Sequence, residues 1–250
     1  MTEGPRIITG GSDSTVKVWN LTNDCANELT KETKGPVAEI QVNGSTIMWS
    51  VDETLAGDGP GIPVGVTQLF DAASGNTLPL TRSPETPYTH PQEIRSIQMV
   101  VNEGVLYVVT GGGEGIILVW KFDGTTNTFS QLFRLERHTR AIMALVMHNQ
   151  FIWSGSADRT LRVWDITTGA QVGSIAAAPG NPNGHSDTIS CLDRIPALAS
   201  DGEAYIISGS VDTTVKLWKT DGSFIHSCSH TNKVTALKFC ENLGSLQVRE

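Results

Sequence analysis

Two sets of His, Ser and Asp recur along the 250-residue chain: His138, Ser154 and Asp158, then His185, Ser208 and Asp212, with the Asp four residues after the Ser in both. A hydroxyl, an imidazole and a carboxylate within mutual reach are the parts of a hydrolase triad. Three features favour a structural role instead. The set occurs twice, each Ser falls inside an apolar run of strand type, and neither Ser has the G-x-S-x-G context of a nucleophile elbow. A nucleophile also needs an accessible cleft, whereas groups inside a strand are buried. The segment TGGGEG from Thr110 has the glycine content of a phosphate cradle, but it joins two strands and lacks a following helix or Lys, so it reads as a turn. Cys25, Cys191, Cys228 and Cys240 lie far apart, without the two-residue spacing of a zinc knuckle or redox pair. They read as buried thiols. No catalytic residue, cofactor site or metal site is assigned.

What must position these residues is a repeated hairpin. Four segments stack: IITGGSDSTVKVWN ending at Asn20, VVTGGGEGIILVWK ending at Lys121, IWSGSADRTLRVWD ending at Asp165, and IISGSVDTTVKLWK ending at Lys219. In each, an apolar run ends in Ser or Thr plus Gly, an acidic residue and a polar turn follow, and a second alternating run ends on Trp. The acidic residue lies six before the Trp every time: Asp13 and Trp19, Glu114 and Trp120, Asp158 and Trp164, Asp212 and Trp218. Period-two alternation between Gly, Asp and Asn turns predicts an all-β chain. A fifth copy runs through TIMWSVD, ending at Asp52, and VTQLFDAASG around Phe70, with Phe in place of Trp and the Gly/Pro-rich LAGDGPGIPVG as a longer loop. The aromatic anchors at 19, 70, 120, 164 and 218 are 51, 50, 44 and 54 residues apart. Four-stranded propeller blades repeat about every 40 to 45 residues, which loops extend. AIMALVMH with AQVGSI, and TISCLDRI with SFIHSC, supply the remaining strands.

These units resemble WD repeats, and the chain is identified over nearly its whole length as a member of that β-propeller family. A His precedes each first strand by four residues: His90 before Ile94, His138 before Ile142, His185 before Ile189, His230 before Val234. The resemblance implies a hydrogen-bonded relay of this His, the second-strand hydroxyl, the turn Asp and the third-strand Trp. Two full sets are present, His138, Ser154, Asp158 and Trp164, then His185, Ser208, Asp212 and Trp218. The third unit departs from the pattern, with Glu114 in place of Asp beside Thr110 and His90. The first has Thr9, Asp13 and Trp19 but no His, and the second has neither His nor Trp in place. ILVWKFDGTTNTF and LERHTRAIMALV are also similar to the propeller part of plant-type proteins that join a CCCH zinc finger to WD repeats. That kinship implies an RNA-associated regulatory role for a longer form, and no zinc ligand carries over to this chain.

The fold expected is a β-propeller of four-stranded antiparallel blades, as one domain, with units at about 1–31, 32–82, 88–135, 136–178 and 184–228 and a partial unit at 229–250. VTALKFC can complete the first unit into a five-bladed ring, or the chain can be part of a larger, seven-bladed propeller, which we favour because unpaired strand edges are what closed rings avoid. A net charge of −8 disfavours nucleic acid and anionic membrane as partners. Neither a signal segment nor about 18 consecutive apolar residues are present, so the location expected is intracellular, cytoplasmic or nuclear. Without a convergent catalytic set, the expected function is a scaffold or adaptor presenting a rigid face to protein or peptide partners, ahead of a propeller enzyme. The contact candidates are Arg137, Arg140, Asp187 and Lys233, with Glu93, just before first strands, and the aromatics Trp49 and Trp153, which burial between blades competes for.

Overall fold

The structure, a computed structural model, describes residues 5–33, 35–43, 46–54, 63–71, 76–78, 80–81, 90–126, 128–178, 182–197 and 203–239. Cys240, residues 55–62 of the Gly/Pro-rich insert, and the side chains of Trp49 and Phe70 lie outside the described residues.

The alternating runs form antiparallel meanders, and among the described residues there is no helix. The first sheet is β1 (Arg6–Gly10), β2 (Thr15–Asn20) and β3 (Ala26–Glu32); the second is β4 (Val37–Asn43), β5 (Thr46–Thr54), β6 (Pro63–Asp71) and β7 (Asn76–Leu78). The third holds β9 (Ile94–Asn102), β10 (Val105–Gly112), β11 (Ile116–Asp123) and β12 (Thr128–Glu136), with β8 (Leu80–Thr81) pairing parallel to the outer β12. The fourth is β13 (Ile142–His148), β14 (Phe151–Ser156), β15 (Leu161–Asp165) and β16 (Gln171–Ile175); the fifth is β17 (Ile189–Ile195), β18 (Tyr205–Ser210), β19 (Thr214–Lys219) and β20 (Phe224–Ser229). The first strands of neighbouring sheets lie together, β4 beside β9, β9 beside β13 and β13 beside β17, so the sheets are arranged as blades around a common inner wall.

Each sheet has two apolar faces, and the core sits between sheets. Val109, Ile117 and Val119 of the third sheet pack with Ile142, Leu145, Ile152 and Trp164 of the fourth. Val146, Trp153 and Val163 of the fourth pack with Ile189, Ile206 and Trp218 of the fifth. In four of the sheets a Gly at or near the end of the strand before the acidic turn is where one blade meets the next. A Cβ at Gly111 would lie 2.5 Å from Ile142, at Gly155 2.7 Å from Ile189, and at Gly209 2.6 Å from Val234, while at Gly10 it would overlap Val37. Only a residue without a side chain lets the following first strand approach that closely.

Two further regularities repeat from blade to blade. The outer strand slips register by one residue at the Trp of the third strand, between Val18/Trp19, Val119/Trp120, Val163/Trp164 and Leu217/Trp218. Such a bulge twists an outer edge and discourages pairing with another chain. The residue after each turn acid is left-handed: Ser14 (φ 60°), Gly115 (φ 88°), Arg159 (φ 72°) and Thr213 (φ 69°).

Among the described residues the first sheet has three strands. Residues 234–239 lie instead against the fifth sheet: the Val234 amide donates to the Ser210 carbonyl at 3.0 Å, and the Phe239 amide donates to Asp193 Oδ2 at 2.6 Å. Among the described residues, 234–239 add no strand to the first sheet. Val234 takes the place beside Gly209 that Ile189 takes beside Gly155.

Candidate functional site

The two His/Ser/Asp sets come together with the hydrogen bonds of a triad. His138 Nδ1 is 2.8 Å from Asp158 Oδ2 and its Nε2 is 2.8 Å from Ser154 Oγ. In the fifth sheet the corresponding distances, from His185 to Asp212 and to Ser208, are 2.8 and 2.7 Å. Each hydroxyl is closed off by an indole. Trp164 Nε1 donates to Ser154 Oγ at 2.9 Å, and Trp218 Nε1 donates to Ser208 Oγ at 2.8 Å. Both serines are fully buried. A substrate carbonyl has no path to either Oγ, so these residues form a chain of buried donors and acceptors that satisfy one another.

The proton positions follow from counting donors. The indole N–H can only donate, so the Ser oxygen accepts it. The Ser208 hydroxyl then donates to Nε2 and Nδ1–H donates to the carboxylate, which makes the His185 imidazole neutral; Ser154 Oγ also reaches the Arg162 carbonyl at 3.3 Å. The electrostatics agree. Burial pushes the His138 and His185 rings below the usual histidine range against the pull of Asp158 and Asp212. Burial raises the Asp158 carboxyl, but the His138 hydrogen bond and the Thr160 hydroxyl and amide outweigh it and hold it well below the usual range. At Asp212 burial is likewise outweighed, by the Thr214 hydroxyl, the Ser186 amide and His185, and the carboxyl falls to about 2.

The sets also fasten the loops that carry the contact candidates. Asp158 Oδ2 accepts the Thr139 amide at 3.1 Å, and Asp212 Oδ2 accepts the Ser186 amide at 2.9 Å. A second serine in each hairpin adds to this: Ser156 Oγ donates to the Arg140 carbonyl at 3.0 Å, and Ser210 Oγ to the Asp187 carbonyl at 3.1 Å. Ser156, Ser210, Thr160 and Thr214 were not singled out from the sequence. The spacing S-G-S-x-D-x-T shared by the fourth and fifth units is the signal that identifies them. Lys216 was missed too. It is buried, with Nζ donating to the carbonyls of Asn183 (2.8 Å) and Gly184 (2.7 Å), which anchors the loop entering His185.

In the third sheet Glu114 reaches where Asp stands elsewhere: its Oε1 is 2.5 Å from His90 Nδ1, and His90 Nε2 is 2.8 Å from Thr110 Oγ1. The chain stops short at the other end, since among the described residues the buried Trp120 Nε1 has no partner; at the acid end Glu114 Oε2 has none either. In the first sheet Trp19 Nε1 donates to Thr9 Oγ1 at 2.8 Å, and Asp13 Oδ1 accepts the Thr15 hydroxyl at 2.8 Å.

Arg137, Arg140, Asp187 and Lys233 are exposed at the relay end of the sheets, and Glu93 is half-buried. Trp153 must be corrected as a contact candidate. It is wholly buried in the core between the fourth and fifth sheets, so no partner can reach it. Trp49 lies in β5 opposite Ile40 and Gln68. The reading of the cysteines as buried also needs correction: Cys25 and Cys228 are exposed and Cys191 half-buried, because the first two sit at a turn and on an outer strand.

The first strands enclose a polar cavity of about 340 Å³ lined by Glu39, Arg95, Gln98, Ser190 and Asp193, among others. Burial raises the Glu39 carboxyl to about 7, against hydrogen bonds from the Ile97 amide and Gln41.

Blades joined at their first strands, with buried His, Ser, Asp and Trp chains and a tight acidic turn, define a β-propeller of WD repeats. The family described as WD domain, G-beta repeat matches residues 2–20, 129–165 and 180–219, and over those segments the chain carries WD repeats. Zinc finger CCCH domain-containing protein 17 of Oryza sativa subsp. japonica is 25% identical over 171 residues, 65% of this chain and 32% of its own length. Mitochondrial division protein 1 of Aspergillus clavatus is 24% identical over 249 residues, 94% of this chain and 33% of its own length. The protein of that name in Chaetomium globosum is 37% identical over 122 residues, 43% of this chain and 19% of its own. The chain thus spans about a third of the length of the first two relatives. A crystal structure of the computationally designed Ika8 protein shares the fold, with a TM-score of 0.61 at 22% identity, over 97% of this chain and 77% of that one.

Proposed function

We propose that the chain is a non-enzymatic scaffold or adaptor that presents the relay end of its blades to protein or peptide partners. The observation that carries this is the use to which the two His/Ser/Asp sets are put. Their hydroxyls are closed by Trp164 and Trp218, and their carboxylates hold the loops bearing Arg137, Arg140 and Asp187. A set of loops held rigid on a β-scaffold loses little conformational freedom when a partner docks. Relatives named for mitochondrial division support a place within the cell, and the location is read as intracellular.

The test is affinity capture with the tagged chain from its native cytosol. Stoichiometric recovery of a specific partner, lost when the relay-end loops are altered, is the expected outcome. A folded wild-type chain that retains no partner would sink the reading and direct attention to substrate screens.

A further inference from the structure

Arg137, Arg140 and Arg159 stand exposed on the two loops at the relay end of the fourth sheet, and none has a carboxylate partner among the described residues. Three other described arginines do face a carboxylate, Arg6 with Glu28, Arg95 with Glu93 and Arg134 with Glu136, while Arg162 donates to Gln171. The corresponding loop positions of the neighbouring sheets carry no such charge. Counted from the relay His and the turn acid, they are Thr89, Gln92 and Gly115 in the third and Gly184, Asp187 and Thr213 in the fifth.

The backbone under the three arginines is held. Asp158 Oδ2 takes the Thr139 amide and the His138 ring, Ser156 Oγ donates to the Arg140 carbonyl, and Arg159 Nη1 reaches the Ser186 carbonyl at 3.4 Å. Arg159 occupies the left-handed turn position (φ 72°) that the third sheet fills with Gly115. A side chain there is strained relative to glycine. From Arg137 a groove of about 650 Å³ runs past the Arg134–Glu136 ion pair and over Trp164 to Gly169 and Gln171, room for a segment of extended chain.

We propose that this arginine-bearing end of the fourth sheet, with the groove beside Arg137, is the docking surface for an Asp/Glu-rich segment of a protein partner. The proposal rests on the scaffold reading above. Guanidinium groups offer paired N–H donors that match a carboxylate; among the described residues none of these three is paired with one, and Glu136 of the groove is already paired with Arg134.

The test is fluorescence anisotropy on the full chain with a labelled peptide alternating Glu and Ser, against peptides of equal length alternating Gln and Ser or Lys and Ser. Saturable binding of the Glu peptide alone is expected, weakening as salt is raised from about 0.05 to about 0.5 M. Arg137→Glu with Arg140→Glu should weaken it by about tenfold or more. Lys121→Glu with Lys219→Glu, two exposed residues away from the site, changes the net charge equally and should leave affinity within about twofold. Arg159→Gly removes a guanidinium while relieving the backbone, so it should lower affinity several-fold with Tm unchanged or raised, which a folding defect would not produce.

The proposal is overturned if the lysine variant loses as much as the arginine variant, if the Gln peptide binds equally, if a phosphoserine peptide binds and the Glu peptide does not, or if Arg159→Gly leaves affinity intact. Capture of a partner by the wild type without any preference for the Glu peptide overturns this inference and leaves the scaffold reading standing. Absence of both overturns both.

Discussion

Replacing Ser208 by Ala removes one oxygen and leaves two buried groups without partners. Trp218 Nε1 loses the acceptor it holds at 2.8 Å, and His185 Nε2 loses the donor at 2.7 Å. Trp218 is 1% exposed and His185 2%, so water cannot replace the lost oxygen without opening the blade. An orphaned buried donor or acceptor costs about 1–3 kcal/mol, and allowing for partial relaxation the pair should cost about 2–4 kcal/mol. Thr110→Val in the third sheet is the internal control. Trp120 Nε1 already lacks a partner there, so the substitution orphans only His90 Nε2 and should cost about 1–2 kcal/mol. Urea unfolding followed by both tryptophan fluorescence and far-ultraviolet circular dichroism measures each loss. With a slope of about 2 kcal/mol per molar, the midpoint for Ser208→Ala should fall by about 1–2 M. A loss below about 1 kcal/mol, or one equal to that of Thr110→Val, would refute the donor-counting argument.

The acid flank of stability should begin with the histidines. His138 and His185 titrate below 6.5 in the fold, so the unfolded chain binds protons first and stability falls as pH drops below 6.5; Asp212 adds a second loss as pH falls from 3.8 through about 2. Thermal melts across that range that show no decline until pH falls below about 4 would contradict the neutral-imidazole assignment. Glu39 has the opposite sign: its carboxyl shifts from 4.5 to about 7, so it destabilises increasingly as pH rises through that window. Glu39→Gln should therefore stabilise by up to about 3 kcal/mol at about pH 8 and by little at about pH 4, and equal effects at both would exclude the burial cause. Gly155→Ala should destabilise by about 1–3 kcal/mol through collision with Ile189, which a urea midpoint equal to wild type would refute.

Interactions that close within one hairpin were legible in the sequence. Trp218 and Ser208 are 10 residues apart, as are Trp164 and Ser154, so the spacing of Ser, Asp and Trp sets the strand register and with it the hydrogen bonds. The histidines reach the same hairpin from 16 and 23 residues upstream of the Ser, and their fixed distance from the next first strand made them readable through the repeat.

The tertiary structure decided what depends on a neighbouring blade. The Gly after each Ser or Thr was visible as a pattern, but its reason, an Ile or Val of the next blade pressed against its Cα, exists only once the sheets are packed. The burial of Trp153, the exposure of Cys25 and Cys228, and the perturbed Glu39 facing the Ile97 amide across two sheets belong to the same class. The reach of Glu114 to His90 does too, since whether a longer side chain suits a turn depends on the backbone that carries it. Local spacing determines which groups share a hairpin. Exposure, close approach and desolvation are properties of the surface between hairpins, which only packing creates.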